Sequence, residues 1–381
     1  MRDCLSVPTI VLLMISLTGH VSAQESNPWR DPSPHTVQFL TVDKGVKLEV
    51  LDWGGTGRPL VLLTGLGSTA HVFDDFAPKL TPRYHVYGIT RRGYGASSAP
   101  TPDATNYTAD RLGDDVIAVL DSLKPEKPIL AGHSIAGEEL SSIGTRHPER
   151  VAGLIYLDAA YAYAYYDLPG PDRVDISVRE LQKELERFEE DKPPAEQKQF
   201  VQKLLQDSLP GLEKDLDGIQ HFQDAAPAQP QSGPSPTESD LASFTAWRAW
   251  FLRVQGLAVA ESELRQQNEV RPDGGVGKHR DHSAVASAIN KGEQKYTEVR
   301  VPILAIFANP RKPDPYPFNT PSERAAIVAL QIAGIDAVAK AFQKGIPSAH
   351  VVQIPQANHY VFESNEADVL REMNAFLSSL P

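Results

Sequence analysis

The stretch PILAGHSIAGEEL, from Pro128 to Leu140, indicates the fold of this 381-residue chain. An apolar run over Pro128 to Ala131, typical of a buried strand, meets a helical pattern over Ala136 to Arg146. Ser134 lies at the junction. A tight strand-to-helix turn lifts a serine hydroxyl above the sheet and places the amide of Ile135 at the helix N-terminus, where negative charge is favoured. Ser134 is therefore a candidate nucleophile at the end of a strand.

The residues around Ser134 are small, as such a turn requires. Gly132 precedes the serine, and Ala136 and Gly137 follow it. The strict G-x-S-x-G pattern is broken at its last position, where Ala136 replaces the usual glycine. A serine between small residues is also found as an ordinary helix cap, so the surrounding chain must decide between the two interpretations.

The flanking sequence alternates short β-rich runs with amphipathic helical runs. This is the pattern of a mostly parallel sheet covered by helices on both faces, and we predict eight strands. The predicted strands are Thr36–Val42, Lys47–Asp52, Leu60–Thr64, His85–Ile89, Pro128–Ala131, Val151–Leu157, Ile303–Phe307 and Val351–Ile354. The predicted core helices are His71–Leu80, Thr108–Leu123, Ala136–Arg146 and Glu366–Leu377.

A helix-rich, charged stretch without a convincing strand interrupts this alternation after the sixth strand. We interpret residues 161–296 as an inserted helical lid, with a Pro-rich flexible linker at 225–237. Residues 24–160 and 297–381 then form the core. The predicted lid helices are Ser177–Glu189, Glu196–Leu209 and Ser239–Gln267.

Two further segments fit the chemistry expected of Ser134. Gly65-Leu66-Gly67 directly follows a predicted strand, where a backbone amide can face the same oxyanion as the amide of Ile135. A simple β-turn is the alternative interpretation. His359 follows the last predicted strand and precedes the last helix, so a neutral imidazole there can accept the serine proton. A loop histidine with local hydrogen bonds is the alternative.

Together these segments resemble the α/β-hydrolase superfamily, specifically its capped lipase, esterase and dehalogenase-like members. The resemblance covers Thr36 to Tyr161 and Val301 to Pro381. The sequence departs from the family at Thr64, where histidine is common, and at Ala136. The resemblance implies an α/β-hydrolase fold with Ser134 as the nucleophile, His359 as the base, and an oxyanion hole from the amides of Leu66 and Ile135.

The position of the acid that would orient His359 is ambiguous. In the commonest version of the fold the acid follows the penultimate strand, but AIFANPRKPDP, residues 305–315, offers only Asp314 after a Pro-rich detour. VAGLIYLDAAY places Asp158 at the end of a predicted strand, as in hydrolases that carry their acid there. A strand end holds a carboxylate more rigidly than a Pro-rich loop. We therefore predict Asp158 as the acid, with Asp314 as the alternative.

Aromatic residues are concentrated in the predicted lid and at its entrance. Over a reactive serine they would favour a small apolar or aromatic acyl group, which makes Tyr161, Trp247 and Trp250 candidate substrate contacts. Such a stripe is more often the lid's own core. The aromatic residues are Phe244, Trp247, Trp250 and Phe251 in the lid, and Tyr161, Tyr163, Tyr165 and Tyr166 at the entrance.

Composition argues against several functions. The formal net charge of −12 and the lack of a basic cluster argue against nucleic acid as a partner. Cys4 is the only cysteine, which excludes disulfides within the chain and Cys-based zinc sites. The acidic runs Glu184–Asp191 and Glu213–Asp217 are typical of solvated helix faces, and the loop His279–His282 lacks metal-site spacing. We therefore expect neither a metal nor a cofactor.

The first 23 residues are typical of a signal peptide. Arg2 precedes an apolar stretch, Val7 to Leu17, and Val21-Ser22-Ala23 precedes Gln24. A membrane anchor is the alternative, but Pro8 interrupts the apolar run, which is shorter than the roughly 20 residues of a membrane span. We predict cleavage after Ala23 and a secreted protein, periplasmic or extracellular, without a stable membrane anchor.

The sequence thus predicts a serine hydrolase that cleaves a carboxylic ester, a lactone or a similar acyl bond of a small molecule. Carbon-carbon bond hydrolysis and aminopeptidase activity on the same residues are the enzyme alternatives. A ligand-binding protein with weak catalysis is the alternative from another class, and it applies if neither Asp158 nor Asp314 reaches His359. The sequence does not indicate whether the protein is a monomer or an oligomer.

Overall fold

The computed structural model describes residues 29–103, 105–165, 174–186, 188, 193–225, 234–311 and 320–381. The predicted signal peptide, Tyr166, Asp314 and most of the predicted linker lie outside these residues. The chain divides into two compact units, Met1–Pro32 and Ser33–Pro381. Every helix and strand named below belongs to the second unit.

An eight-stranded sheet lies at the centre of this unit, in the order β1-β2-β4-β3-β5-β6-β9-β10. Neighbouring strands are parallel from β4 to β10, while β2 is antiparallel to both β1 and β4. The predicted eight-stranded, mostly parallel sheet is confirmed. The strands are β1 Thr36–Asp43, β2 Val46–Gly54, β3 Pro59–Leu63, β4 His85–Ile89, β5 Ile129–His133, β6 Gly153–Leu157, β9 Ile303–Ala308 and β10 Ala349–Ile354.

Helices cover both faces of the sheet, and each face has its own apolar core. One core includes Val116, Leu140 and Phe342, and the other includes Phe73 and Met373. The central strands of this sheet are buried almost completely because side chains of both faces are covered. The helices that cover the two faces are α1 Ala109–Leu123, α2 Ala136–Arg146, α9 Pro321–Gly345, α10 Val361–Ser364 and α11 Glu366–Ser379.

The predicted helix over His71–Leu80 is wrong. The chain there makes two short 3₁₀ turns, Ala70–Phe73 and Ala77–Lys79. Pro78 in the second turn has no backbone N–H to donate, so the helical ladder cannot continue through it.

The sequence analysis did not predict α9. Its segment Arg324–Gly345 has a mean hydropathy of 1.7, and 22% of it is buried. Length and composition alone would allow this helix to cross a membrane, a property that core helices of soluble proteins share. Apolar residues surround the helix instead of following one face, so the periodicity used for prediction is absent.

The segment between β6 and β9 is mostly helical in its described part, as expected for residues 161–296. The predicted helix Ser239–Gln267 is two helices, because Gly256 adopts a left-handed φ of 69° and ends the first. The expectation that this segment has no strand is wrong. A short antiparallel hairpin, β7 Asn268–Val270 and β8 Val276–His279, turns through Gly274 at φ 86°. The helices are α3 Val174–Glu186, α4 Pro194–Lys203, α5 Leu209–Ala225, α6 Phe244–Gln255, α7 Glu261–Gln267 and α8 Ser283–Gly292.

Candidate active site

Ser134 occupies the tight turn between β5 and α2 that the sequence predicts. Its φ is 54°, in the left-handed region that non-glycine residues rarely adopt. Gly137 is the residue that must be glycine here, since a Cβ would lie 1.9 Å from the carbonyl oxygen of Ala159. The close approach falls one residue beyond Ala136, so the change from the usual pattern leaves the turn intact.

His359 lies between Ser134 and Asp158 and contacts both. Its Nε2 is 2.9 Å from the Ser134 Oγ, and its Nδ1 is 2.6 Å from the Asp158 Oδ2. The residue follows β10 and precedes α10, as expected. His133 contacts the backbone of His359, with the His133 Nε2 3.0 Å from the carbonyl oxygen of His359. The arrangement lets the imidazole exchange a proton with the serine hydroxyl while the carboxylate holds the opposite nitrogen.

Asp158 follows β6 and is completely buried. Its Oδ1 accepts from the Tyr161 hydroxyl at 2.6 Å and the Ala308 amide at 3.0 Å. Its Oδ2 accepts from His359 and, at 2.6 Å, from the Arg311 Nη2. Burial raises the pKa of Asp158, but the hydrogen bond from His359 and the nearby Arg311 outweigh burial and keep the pKa below its usual range. The carboxylate is therefore ionised and fixed.

The loop that carries Leu66 lies against Ser134. A Cβ on Gly65 would be 3.2 Å from the Ser134 Cβ, so the loop and the turn are in direct contact. Leu66 packs against the small apolar cluster that contains Ile135. The two residues whose amides were predicted to form the oxyanion hole are thus placed on adjoining segments beside the serine.

Arg91 holds this loop from below, a role that the sequence analysis missed. Its Nη2 donates to the Thr64 carbonyl at 2.8 Å, its Nη1 lies 3.4 Å from the Gly65 carbonyl, and its Nε donates to Glu139. Both charged side chains are buried. Because Glu139 belongs to α2, Arg91 connects the loop to the helix that follows Ser134.

The family model described as the alpha/beta hydrolase fold matches residues 58–366 of this chain. The chain belongs to the α/β-hydrolase family. Fluoroacetate dehalogenase of Burkholderia sp is 33% identical to this chain over 116 residues, which cover 30% of the chain and 38% of that relative. Epoxide hydrolase 4 of Homo sapiens is 32% identical over 136 residues, which cover 34% of this chain and 36% of that relative.

A solved structure gives the same fold at lower sequence identity. The crystal structure of E-2-(acetamidomethylene)succinate hydrolase superposes on this chain with a TM-score of 0.54 at 17% identity, covering 91% of this chain and all of the other. At this identity the likeness shows the fold alone. The alignments with the two curated relatives span well under half of their lengths.

The aromatic candidates divide into two groups. Tyr161 donates its hydroxyl to Asp158, so it contacts the predicted acid, and its side chain is half-buried. Trp247 and Trp250 stack with ring centroids 4.7 Å apart. Trp247 also packs against the lid's own apolar cluster, together with Tyr360 beside His359. The second group therefore forms the core of α6 and α7, the more common arrangement for such a stripe.

Glu263 of α7 connects the segment between β6 and β9 to the loop that carries Leu66. Its carboxylate accepts from the Thr69 amide at 3.0 Å and from the Gln267 Nε2 at 2.7 Å, and the Thr69 hydroxyl also donates to it. The side chain is fully buried. Burial raises the pKa of Glu263 to about 7. Thr69 lies three residues beyond Leu66, so α7 contacts the same loop as Arg91.

A second polar cluster surrounds Asp74. The ring nitrogens of His35 and His71 and a carboxylate oxygen of Asp74 lie within 4.8 Å of one another, which is close enough to hold a metal ion. Each carboxylate oxygen already accepts two hydrogen bonds: Oδ1 from His35 and the Trp53 indole, Oδ2 from His71 and the Ser262 hydroxyl. We interpret the cluster as a hydrogen-bond network that ties α7 to the core.

Proposed function

We propose that this protein is a serine hydrolase that cleaves a carboxylic ester, a lactone or a similar acyl bond of a small molecule through an acyl-enzyme. The observation that carries the proposal is the continuous hydrogen-bonded series from Ser134 through His359 to Asp158, with distances of 2.9 and 2.6 Å. A serine hydroxyl is a weak nucleophile until a neighbouring base removes its proton, and a base needs an orienting partner to stay in the correct tautomer.

The reaction follows from these positions. His359 Nε2 takes the hydroxyl proton as the Ser134 Oγ attacks the substrate carbonyl carbon, and the resulting oxyanion faces the amides of Leu66 and Ile135. The intermediate collapses, and His359 returns the proton to the leaving alcohol, which leaves an ester on Ser134. Water, deprotonated by His359, then attacks this ester and releases the acid, which restores the serine hydroxyl.

The identity of the residue at 134 favours this reaction over those named for the two curated relatives. In the dehalogenases and epoxide hydrolases that the sequence resembles, an aspartate occupies the position of Ser134. The binding-protein alternative depended on an acid that failed to reach His359, and the contact between His359 and Asp158 removes that motivation.

The test is labelling of the purified protein with a fluorophosphonate probe, which reacts only with an activated serine. We expect one labelled peptide, carrying Ser134, and loss of labelling in Ser134→Ala and His359→Ala. Ser322→Ala, at an exposed serine near the start of α9, is the matched control and should label normally. Folded protein that remains unlabelled, or that labels at another serine, contradicts the proposal.

The substrate class is measured on the same variants. A series of p-nitrophenyl esters with acyl chains of increasing length, followed by lactones, should give turnover in the wild type. Ser134→Ala should lose at least a thousandfold in kcat/KM, as expected when the nucleophile of such a series is removed.

A further inference from the structure

Arg311 reaches the acid from the end of β9. Its Nη2 lies 2.6 Å from the Asp158 Oδ2 and 3.0 Å from the Tyr161 hydroxyl oxygen. The carboxylate is completely buried and 28% of the Arg311 side chain is exposed. This is an ion pair at the protein interior, where the charge interaction is much stronger than at the surface.

The strand ends that carry the two charges are neighbours in the sheet. Asp158 follows β6 and Arg311 follows β9, and the two strands pair in parallel with Leu157 opposite Ile306. The end of β9 is the place where the commonest version of this fold carries its acid. Here the carboxylate comes from the adjacent strand, and a guanidinium follows the strand that would otherwise supply it.

The guanidinium and the imidazole share one oxygen. Oδ2 of Asp158 accepts both from Arg311 and from His359 Nδ1. A proton on the free nitrogen of His359 would place a second positive charge on the side of the carboxylate that already faces Arg311. Like charges at this separation disfavour each other, so Arg311 opposes protonation of the imidazole while it keeps the carboxylate ionised.

We propose that Arg311 is a positioning residue that sets the lower pH limit of the reaction at Ser134. It acts through Asp158, by fixing the carboxylate and by holding His359 in its neutral, proton-accepting form at lower pH than Asp158 alone would allow. The inference rests on the proposed function, because it assumes that His359 is the base.

The other groups that face His359 do not supply this effect. Ser134 is uncharged, and Tyr360 contributes a neutral ring beside the imidazole. Burial lowers the pKa of His133 well below its usual value, so that ring is neutral as well. Among the groups that face His359 from the described strand ends and loops, Asp158 and Arg311 therefore carry the opposing charges.

The test is the pH dependence of fluorophosphonate labelling between pH 4.5 and 9, which needs no knowledge of the substrate. In Arg311→Met, which keeps an unbranched apolar stem and removes the charge, we expect the acidic side of the profile to move up by about one pH unit. Arg311→Lys keeps the charge and should recover at least half of that shift. Arg300→Met, at an exposed arginine paired with Glu298, is the control and should leave the profile unchanged.

Tyr161→Phe separates positioning from charge. It removes a hydrogen bond to the same carboxylate without changing any charge, so the rate should fall at all pH values while the midpoint stays in place. If Arg311→Met is poorly folded, Arg311→Gln is the second variant: it also removes the charge and should move the midpoint up, whereas Tyr161→Phe should leave the midpoint in place.

The outcomes are distinct. A uniform loss of rate in Arg311→Met, with an unmoved midpoint, overturns the inference and leaves Arg311 a structural residue. No labelling of Ser134 in the wild type would instead defeat the proposed function before Arg311 is examined.

Discussion

Ser134 and Asp158 share an unusual backbone conformation. Their φ angles are 54° and 48°, and both follow directly on the ends of parallel strands. A side chain in this region costs about 1–3 kcal/mol relative to a residue in a relaxed conformation. Hydrogen bonds from Gly137 to the Ser134 carbonyl and from Asp158 to the Ile306 carbonyl hold both turns in place. Reactive residues are thus placed where the backbone is strained and the surroundings are rigid.

This strain predicts that the side chain at position 134 destabilises the protein. Ser134→Gly should be more stable than Ser134→Ala by about 1 kcal/mol, because glycine adopts a positive φ without steric cost while alanine retains the strain. Both variants lack the proposed nucleophile, so activity does not enter the comparison. The measurement is urea unfolding followed by circular dichroism. Equal stabilities for the two variants would mean that the turn is relaxed.

The sequence located Ser134 and His359 because each lies at a junction between a strand and a helix, and such junctions leave a local pattern. Asp158 was favoured over Asp314 by the same reasoning. Arg91, Glu263 and Arg311 left no such signal, since their partners lie far away in the chain. A lone arginine or glutamate gives no sign in sequence of a buried carbonyl or carboxylate that it will contact.

At the scale of elements, α7 is attached to the core by two buried carboxylates. Ser262 donates to Asp74, and Glu263 accepts from Thr69. Burial raises the pKa of Asp74, but hydrogen bonds from His35, His71 and Ser262 outweigh it and lower the pKa strongly. In Glu263 the effect of burial exceeds that of the hydrogen bonds, so the pKa of this carboxyl is raised. One attachment is therefore ionised over the working pH range, and the other titrates near neutrality.

The raised pKa of Glu263 gives a pH-dependent stability. The carboxyl titrates near 4.5 in the unfolded chain and near 7 in the native protein. Between these values the native state binds more protons, so stability falls as pH rises and the loss is complete above about pH 8. Glu263→Gln does not titrate and keeps an acceptor for the Thr69 amide. Its stability relative to wild type should rise by roughly 2 kcal/mol from pH 5 to pH 8.

The measurement is the free energy of unfolding of both proteins in urea at each pH. Glu261→Gln, at a half-buried glutamate of the same helix that pairs with Arg265, is the matched control, and its stability should vary with pH as that of the wild type does. A difference between Glu263→Gln and wild type that does not vary with pH would show that Glu263 is ionised throughout.

For the whole molecule, the alternation of strands and helices predicted the main sheet because its strands are bounded by turns and its central strands are buried on both faces. The hairpin β7–β8 was not predicted because its strands are only three and four residues long. The α9 helix was not predicted because it lacks a single apolar face. Short elements and helices without amphipathic periodicity depend on tertiary contacts that composition does not reveal.

We further propose that the protein is secreted after removal of residues 1–23, which follows from sequence alone. Expression of the full sequence in a Gram-negative host should give a periplasmic or extracellular product whose intact mass begins at Gln24. A variant with Leu12 and Leu13 both changed to Arg should stay in the cytoplasm at full length, because charges in the apolar stretch block export. A wild-type product that keeps Met1 and remains membrane-bound would favour the anchor alternative.

The chain leaves the sheet at the end of β6 and returns at β9, its immediate neighbour, with Leu157 opposite Ile306. The segment between them can therefore vary in length without displacing a strand, as long as α7 keeps the buried contacts that Ser262 and Glu263 make with the core. For a protein engineer, the same gap is a site where a foreign domain can be grafted directly beside the chemistry.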